Sequence, residues 1–313
     1  MIPVLFGRVA IIGAGLIGSS IARAVRERHL AGTLVVADQE AAVRARVREL
    51  GFADEVTQSA AEAARDADVV IVCVPVGAAG AIAAEVGPEL KPGAILSDVG
   101  SVKGAVLEAM APHVPAHAHL VPAHPVAGTE FSGPDAGFAS LFENRWCIVT
   151  PPDGADGAAV SRLCDLWRAM GANVEVMSAK RHDLVLAITS HLPHLIAYNI
   201  VGTAAELEDS LASEVIKFSA GGFRDFTRIA ASDPTMWRDV FLQNREAVLE
   251  MLGRFTEDLT ALQRAIRYGD GDALFDHFTR TRAIRRSIIE MGQETDAPDF
   301  GRLAAEKPKH EQS

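Results

Sequence analysis

The sequence predicts an α/β half built on a parallel sheet, residues 1–178, followed by an all-helical half, residues 179–313. Three observations carry that division. Short runs apolar on both faces, such as Val69 to Val74 and Ala94 to Ser97, alternate with segments of helical spacing, the pattern that a buried parallel sheet imposes. A glycine-rich turn joins the first strand to the first helix without a gap. From about Ala179 the strand signals stop, and apolar residues recur with helical spacing to about Met291.

Arg8 to Ile12 is a short, largely β-branched run, and Gly13-Ala14-Gly15-Leu16-Ile17-Gly18 follows it directly. Ser19 to Arg28 continues with helical spacing. This is GxGxxG in its proper setting: Gly13 permits the tight turn, Gly15 lets the backbone approach a pyrophosphate, and Gly18 allows the helix to pack closely on the strand. The anion would sit over the first helical turn, at Leu16 and Ile17, where unpaired N–H groups and the helix dipole favour it. A second strand, Thr33 to Ala37, ends in Asp38, about 20 residues beyond the last glycine, which completes a Rossmann-type dinucleotide-binding unit. A carboxylate there accepts hydrogen bonds from a ribose 2′-hydroxyl and repels a 2′-phosphate, so NAD is expected over NADP. Arg44 lies close enough in sequence to weaken that preference.

The rhythm continues with helices expected over Ala41 to Leu50 and Ala78 to Leu90. Val74-Pro75 closes one strand on the side where open α/β sheets bind ligands, and is a further candidate for cofactor contact. Asp98-Val99-Gly100-Ser101-Val102-Lys103 closes the next, with Ser101 opening a helix, a position that a plain N-cap would also explain. After a strand at His119 to Val121 comes His124-Pro125-Val126-Ala127-Gly128-Thr129-Glu130. Pro125 disfavours helix at His124 and Gly128 permits a tight bend, so the imidazole is expected on a bent loop that aims it. Ser101 and His124 then share one edge of the sheet, where a nicotinamide ring would emerge. His113, His117 and His119 are separated by prolines and read as surface histidines, with no metal expected. Trp146 to Thr150, Ala158 to Met170 and Asn173 to Met177 read as strand, helix and strand.

In the second half Lys180 to Glu206 reads as a long helix carrying Ser190-His191-Leu192-Pro193-His194, and Pro193 predicts a kink that frees a backbone carbonyl. Gly221 to Arg228 reads as a flexible junction ending in a guanidinium, and Arg228, among Phe226, Ile229 and Ala230, would need an anionic partner if buried. Asp233-Pro234 then caps a single helix expected over Thr235 to Tyr268. Its residues Phe241, Val248, Phe255 and Leu262 recur every seven positions, a stripe that wants another helix, either Ala273 to Met291 or a second subunit. A two-fold homodimer is the expectation. The polar segment from about Thr295 reads as frayed.

The bulk properties set limits. A formal net charge of −11 leaves no basic surplus for nucleic acid. Three widely spaced cysteines fit neither a disulfide framework nor a thiolate zinc site and suit a reducing cytoplasm. Residues Met1 to Phe6 lack the charged start of an export signal, and no long charge-free apolar run is evident, so membrane insertion is not expected.

Taken together, GAGLIGSS at Gly13, DVGSVK at Asp98, HPVAGTE at His124, SHLPH at Ser190, GGFRDFTRIA at Gly221 and DPTMWRD at Asp233 resemble the prephenate/arogenate (cyclohexadienyl) dehydrogenase family of tyrosine biosynthesis, in the family's order and over nearly the whole chain. The resemblance implies a Rossmann-type domain followed by an all-helical dimerisation domain. It also implies oxidative decarboxylation of prephenate, arogenate or both, with NAD, to 4-hydroxyphenylpyruvate or tyrosine. It further implies roles: His124 as the catalytic base, Ser101 as a hydroxyl orienting imidazole and substrate, Arg228 as the clamp on the ring carboxylate, and Glu130 in an ionic network gating the pocket. His194, Gly221 and Trp237 resemble residues near the substrate side chain. Neither a fused chorismate mutase nor a regulatory amino-acid-binding domain is expected, so any feedback by tyrosine would act at the active site. Another NAD-dependent hydroxyacid dehydrogenase of Rossmann-plus-helical build is the alternative, whereas a nucleotide sensor without turnover has no need of Ser101, His124 and Arg228 together.

Overall fold

β1 (Phe6–Ile12) alternates the side chains of its last four residues between two apolar layers, Val9 and Ile11 entering one and Ala10 and Ile12 the other, which is why that part of the strand has no polar face. A computed structural model describes residues 4–129, 131–206, 217 and 221–290 of the chain. In it β1 lies inside a six-stranded sheet of order β3-β2-β1-β4-β5-β6, with β2 (Ala31–Ala37), β3 (Glu55–Thr57), β4 (Val69–Val72), β5 (Ile95–Asp98) and β6 (His119–Leu120). All neighbouring pairs are parallel. The strand order reverses at the β1–β4 boundary, so the connections after those strands lead to opposite faces and leave a crevice at their carboxyl ends. The connecting helices are α1 (Leu16–Glu27), α2 (Ala41–Leu50), α3 (Ala60–Ala64), α4 (Ala79–Val86) and α5 (Gly104–Met110).

Beyond β6 the chain changes sheets. β7 (Ala123–Pro125), β8 (Trp146–Val149) and β9 (Asn173–Val176) form a separate three-stranded sheet, β7 antiparallel to β8, and α6 (Gly157–Ala169) links β8 to β9. His124 therefore sits on a strand, paired with Ile148, and not on the bent loop that the sequence suggested. Pro125 misled that reading: β7 is an edge strand, and an edge tolerates the missing N–H.

The helical part opens with α7 (Ala179–Leu186), passes through a π-helical turn (Ala187–His191) and continues as α8 (Leu192–Ala205). The expected disturbance at Pro193 is thus a π turn just before it, with Pro193 in the first turn of α8. Residues Ala179–Ala205 together make a helical run of 27 residues that is long and apolar enough to cross a membrane, contrary to the expectation of no such stretch. Its buried positions include His182, Asp183 and His191, which are hydrogen-bonded to other parts of the fold. Leu184, Val185, Ile188, Ile200 and Val201 of the same run are exposed.

Two further expectations are corrected. Residues Gly221–Thr227 form α9, followed by a 3-10 turn at Arg228–Ala231, where a flexible junction was expected. The single helix expected over Thr235 to Tyr268 is two: α10 (Pro234–Gln243) and α11 (Arg245–Tyr268), interrupted at Asn244, whose φ of −106° and ψ of 31° leave the helical region. Asp233 caps α10 as expected, accepting the Met236 N–H at 2.8 Å. α12 (Gly271–Glu290) is the last described helix. The chain forms two compact units, Met1–Met251 and Leu252–Ser313. In the second, Leu259, Ile266, Phe275, Phe278 and Ile284 are all exposed.

Candidate active site

The glycine turn has the expected shape. Gly13 has φ +99°, and a Cβ there would lie 2.5 Å from the Cys73 carbonyl oxygen that follows β4. At Gly18 a Cβ would meet the Gly13 oxygen at 1.9 Å, so helix and turn can close only on glycine. Gly15 differs: a Cβ there meets nothing within 4 Å, so no packing against the described residues demands glycine. Gly15 is also the N-cap of α1 without a side-chain cap, and half-buried Leu16 and Ile17 open the helix. Among the described residues, that leaves first-turn N–H groups for an anion. Asp38 accepts the Ala14 N–H through one carboxylate oxygen and the Glu40 N–H through the other, each at 2.9 Å, tying the end of β2 to the turn. Arg44 donates to the carbonyls of Asp38 and Gln39 at 2.9 and 2.8 Å. Val74 and Pro75 border the same crevice after β4. These residues fit a dinucleotide: open backbone for the phosphates, and Asp38 for a ribose.

His124 lies at the neighbouring sheet, 8% exposed. Its Nδ1 is 2.8 Å from Nε2 of His182, whose Nδ1 is in turn 2.8 Å from Oδ1 of Asp183. The two rings meet edge to face, with centroids 5.0 Å apart. Nε2 of His124 makes no hydrogen bond to the described residues and is not sealed from solvent. Burial first, and then the neighbouring titratable groups His182, Lys103 and His191, holds the His124 pKa well below its usual value, so the ring is neutral near pH 7.

Asp183 is itself anchored. Its two oxygens accept the Lys103 and Gly104 N–H groups, each at 2.8 Å, so a residue of α7 caps the N-terminus of α5. Burial raises its pKa, but hydrogen bonds from His182, Lys103 and Gly104 outweigh that, and it stays below the normal carboxylate range. The Lys103 side chain is fully buried and donates to Asp98 and, at 2.8 Å, to the Ala123 carbonyl beside His124. Asn244, at the break between α10 and α11, joins Asp183 and His191. Desolvation lowers the His191 pKa to about 4.

Ser101 was expected to open a helix and orient His124. α5 instead starts three residues later, at Gly104, and the partner of His124 is His182. The half-buried Ser101 hydroxyl makes no hydrogen bond among the described residues. Trp237, 6% exposed, stacks on His194 with centroids 3.7 Å apart and planes 23° apart, and packs on Val102 next to Ser101. His194 Nδ1 is hydrogen-bonded to the Ser190 carbonyl at 2.8 Å, and the Arg228 charge acts on this ring, so those three residues share one region. Arg228 itself is exposed, which removes the need for a buried counter-ion. Half-buried Gly221 opens α9, its Cβ position 3.5 Å from Asp225. Glu130 lies outside the described residues. Sequence reading missed His182, Asp183, Lys103 and Asn244. The signals available were a His-Asp pair early in an otherwise apolar helix, and one amide interrupting the long helical pattern.

Residues 21–176 match the family model described as prephenate dehydrogenase, nucleotide-binding domain, and residues 178–280 that described as prephenate dehydrogenase, dimerization domain. A cyclohexadienyl dehydrogenase of Zymomonas mobilis subsp. mobilis is 44% identical over 91% of this chain and 97% of its own. A prephenate dehydrogenase of Bacillus subtilis is 32% identical over 96% of this chain and 81% of its own. Among solved structures, a prephenate dehydrogenase from A. aeolicus in complex with hydroxyphenyl propionate and NAD+ superposes with a TM-score of 0.85 at 32% identity, over 90% of this chain and 98% of the other.

Proposed function

The chain belongs to the prephenate dehydrogenase family, and on that premise we propose how its own residues carry the reaction. The activity is NAD-dependent oxidative decarboxylation in tyrosine biosynthesis, on prephenate, arogenate or both. NAD, held by the Gly13–Gly18 turn and Asp38 and bordered by Val74 and Pro75, supplies the hydride acceptor. His124 takes the proton of the ring hydroxyl on its free Nε2 as the carbinol carbon gives up hydride. Carbon dioxide then leaves because the ring becomes aromatic. One observation carries this reading: a buried, neutral imidazole with one nitrogen anchored and the other open. That is the form a general base needs before it acts.

The Ser101 hydroxyl, which makes no hydrogen bond among the described residues, holds the substrate OH in this proposal. Arg228 supplies a permanently charged fork for the ring carboxylate. Trp237 and His194 give a flat, aromatic wall toward the substrate side chain, with Gly221 and Glu130 as further contacts in this proposal. The domain division follows the same reading: residues 1–178 carry the cofactor, and 179–313 carry substrate contacts and the dimer. The exposed apolar residues of α8, α11 and α12 fit a homodimer, since a lone chain would leave them in water. Three free cysteines suit the cytoplasm.

The test is paired detection of NADH and carbon dioxide with prephenate, arogenate and simple 2-hydroxy acids, on the natural chain and on His124→Asn. Both products should form in equal amounts from a cyclohexadienyl substrate alone, and the variant should lose about 10²–10⁴ in kcat while its NAD affinity stays within about twofold. Oxidation of a simple hydroxy acid without carbon dioxide, or full turnover by the variant, would refute the reading.

A further inference from the structure

We propose that His182 and Asp183 act as positioning residues for His124: Asp183 sets the tautomer of His182, His182 sets that of His124, and the pair shares the proton that His124 takes from substrate. The inference rests on His124 being the base. It follows from counting donors and acceptors along the chain of contacts. An ionised carboxylate only accepts, so Nδ1 of His182, 2.8 Å from Asp183, carries hydrogen. A neutral imidazole has one N–H, so Nε2 of His182 is bare and must accept. Nδ1 of His124, 2.8 Å away, therefore carries the hydrogen between them, and Nε2 of His124 is left with its lone pair. Only that tautomer is a base toward the open side.

The anchor is rigid. Asp183 receives the Lys103 and Gly104 N–H groups on its carboxylate and the Asn244 amide on its carbonyl, so neither its charge nor its orientation is free to drift. When Nε2 of His124 gains the substrate proton, its Nδ1 proton can pass to Nε2 of His182, which loses nothing and keeps its own N–H on Asp183. One proton enters at the open side and the positive charge moves one ring inward, beside the carboxylate. Burial and the Lys103 charge oppose a cation at both rings, but only His182 has the Asp183 carboxylate against it to offset them. The titratable groups around that ring are Asp98 and Lys103 before α5, Cys147 on β8, His182 and Asp183 on α7, and His191 in the π turn.

Two measurements test it. In the natural protein carrying ¹⁵N-labelled histidine, the imidazole spectrum near pH 7 should report hydrogen on Nδ1 and none on Nε2 of His124, and the opposite tautomer would overturn the proposal. In His182→Leu, kcat should fall by about 10²-fold, with KM for prephenate and NAD changed less than about threefold, and the acid limb of the kcat profile should shift by about one pH unit. His182→Gln, which restores an acceptor, should recover part of the loss. Full kcat with an unshifted profile in His182→Leu refutes the relay while leaving the base intact, provided His124→Asn is inactive. If His124→Asn remains active, the base itself is wrong. Should His182→Leu fail to fold, the tautomer in the natural protein decides.

Discussion

Asn244 donates one amide hydrogen to Nδ1 of His191 at 3.1 Å and the other to the Asp183 carbonyl at 2.9 Å. Both contacts use the amide nitrogen, so Nδ1 of His191 must be unprotonated, and acid attacks this arrangement directly. The folded His191 pKa of about 4 lies below the unfolded value near 6.5, so from pH 6.5 downward the unfolded chain binds a proton that the folded one refuses. Stability contributed above pH 6.5 is therefore lost between pH 6.5 and 4, by roughly 3 kcal/mol for this group. His124, His182 and His194, also shifted down by burial, add to the same trend. Calorimetry should show Tm falling steadily below pH 6.5, with a shallower slope in His191→Gln. A Tm constant from pH 6.5 to 5 would contradict the argument.

Cofactor choice rests on Asp38. Its carboxylate is fixed by Ala14 and Glu40 at the end of β2, and the Arg44 guanidinium beside it is tied to two backbone carbonyls. Asp38→Ser should lower kcat/KM for NAD by about tenfold and raise that for NADP by a similar factor, a change of about 1.4 kcal/mol each way. Parallel kinetics with the two cofactors measure it.

Arg228 is exposed, so replacing it opens no cavity in the core. Loss of a charge-assisted hydrogen bond to a carboxylate costs about 1.5–3 kcal/mol. Arg228→Ala should thus raise KM for prephenate by roughly 10- to 100-fold, with NAD affinity nearly unchanged. Arg228→Lys should recover only part, because an ammonium lacks the planar fork. An unchanged KM would take Arg228 out of the substrate site.

The exposed apolar residues of α11 and α12 are the prediction for assembly. Ile266→Asp together with Phe278→Glu should shift the protein from dimer to monomer in light scattering at micromolar concentration, since two charges would face an apolar interface. A natural chain that is monomeric under the same conditions would defeat the dimer.

The cofactor crevice was legible in the sequence because its parts are local. Gly13, Gly15 and Gly18 act within one turn, and Asp38 closes the next strand, so spacing alone marks them. The proposed base was legible only as a type of residue. Pro125 reads as a breaker and suggests a loop at His124, yet an edge strand accommodates proline. The residues that hold it were not legible at all. His182 lies 58 positions from His124, and Asn244 lies 61 from Asp183, and no periodicity connects such pairs. Asn244 was concealed further because the seven-residue apolar stripe runs on through the break at that position.

The cap that α7 lends to α5 has a bearing on protein engineering. A truncated chain ending at residue 178 would retain every glycine of the nucleotide turn and His124 itself, yet would strip the Lys103 and Gly104 amides of their acceptor and leave His124 unsupported. Such a fragment could still recognise a dinucleotide while having lost its catalytic competence. Swapping nucleotide-binding modules between relatives should therefore succeed only when the first turns of α7 travel with the graft.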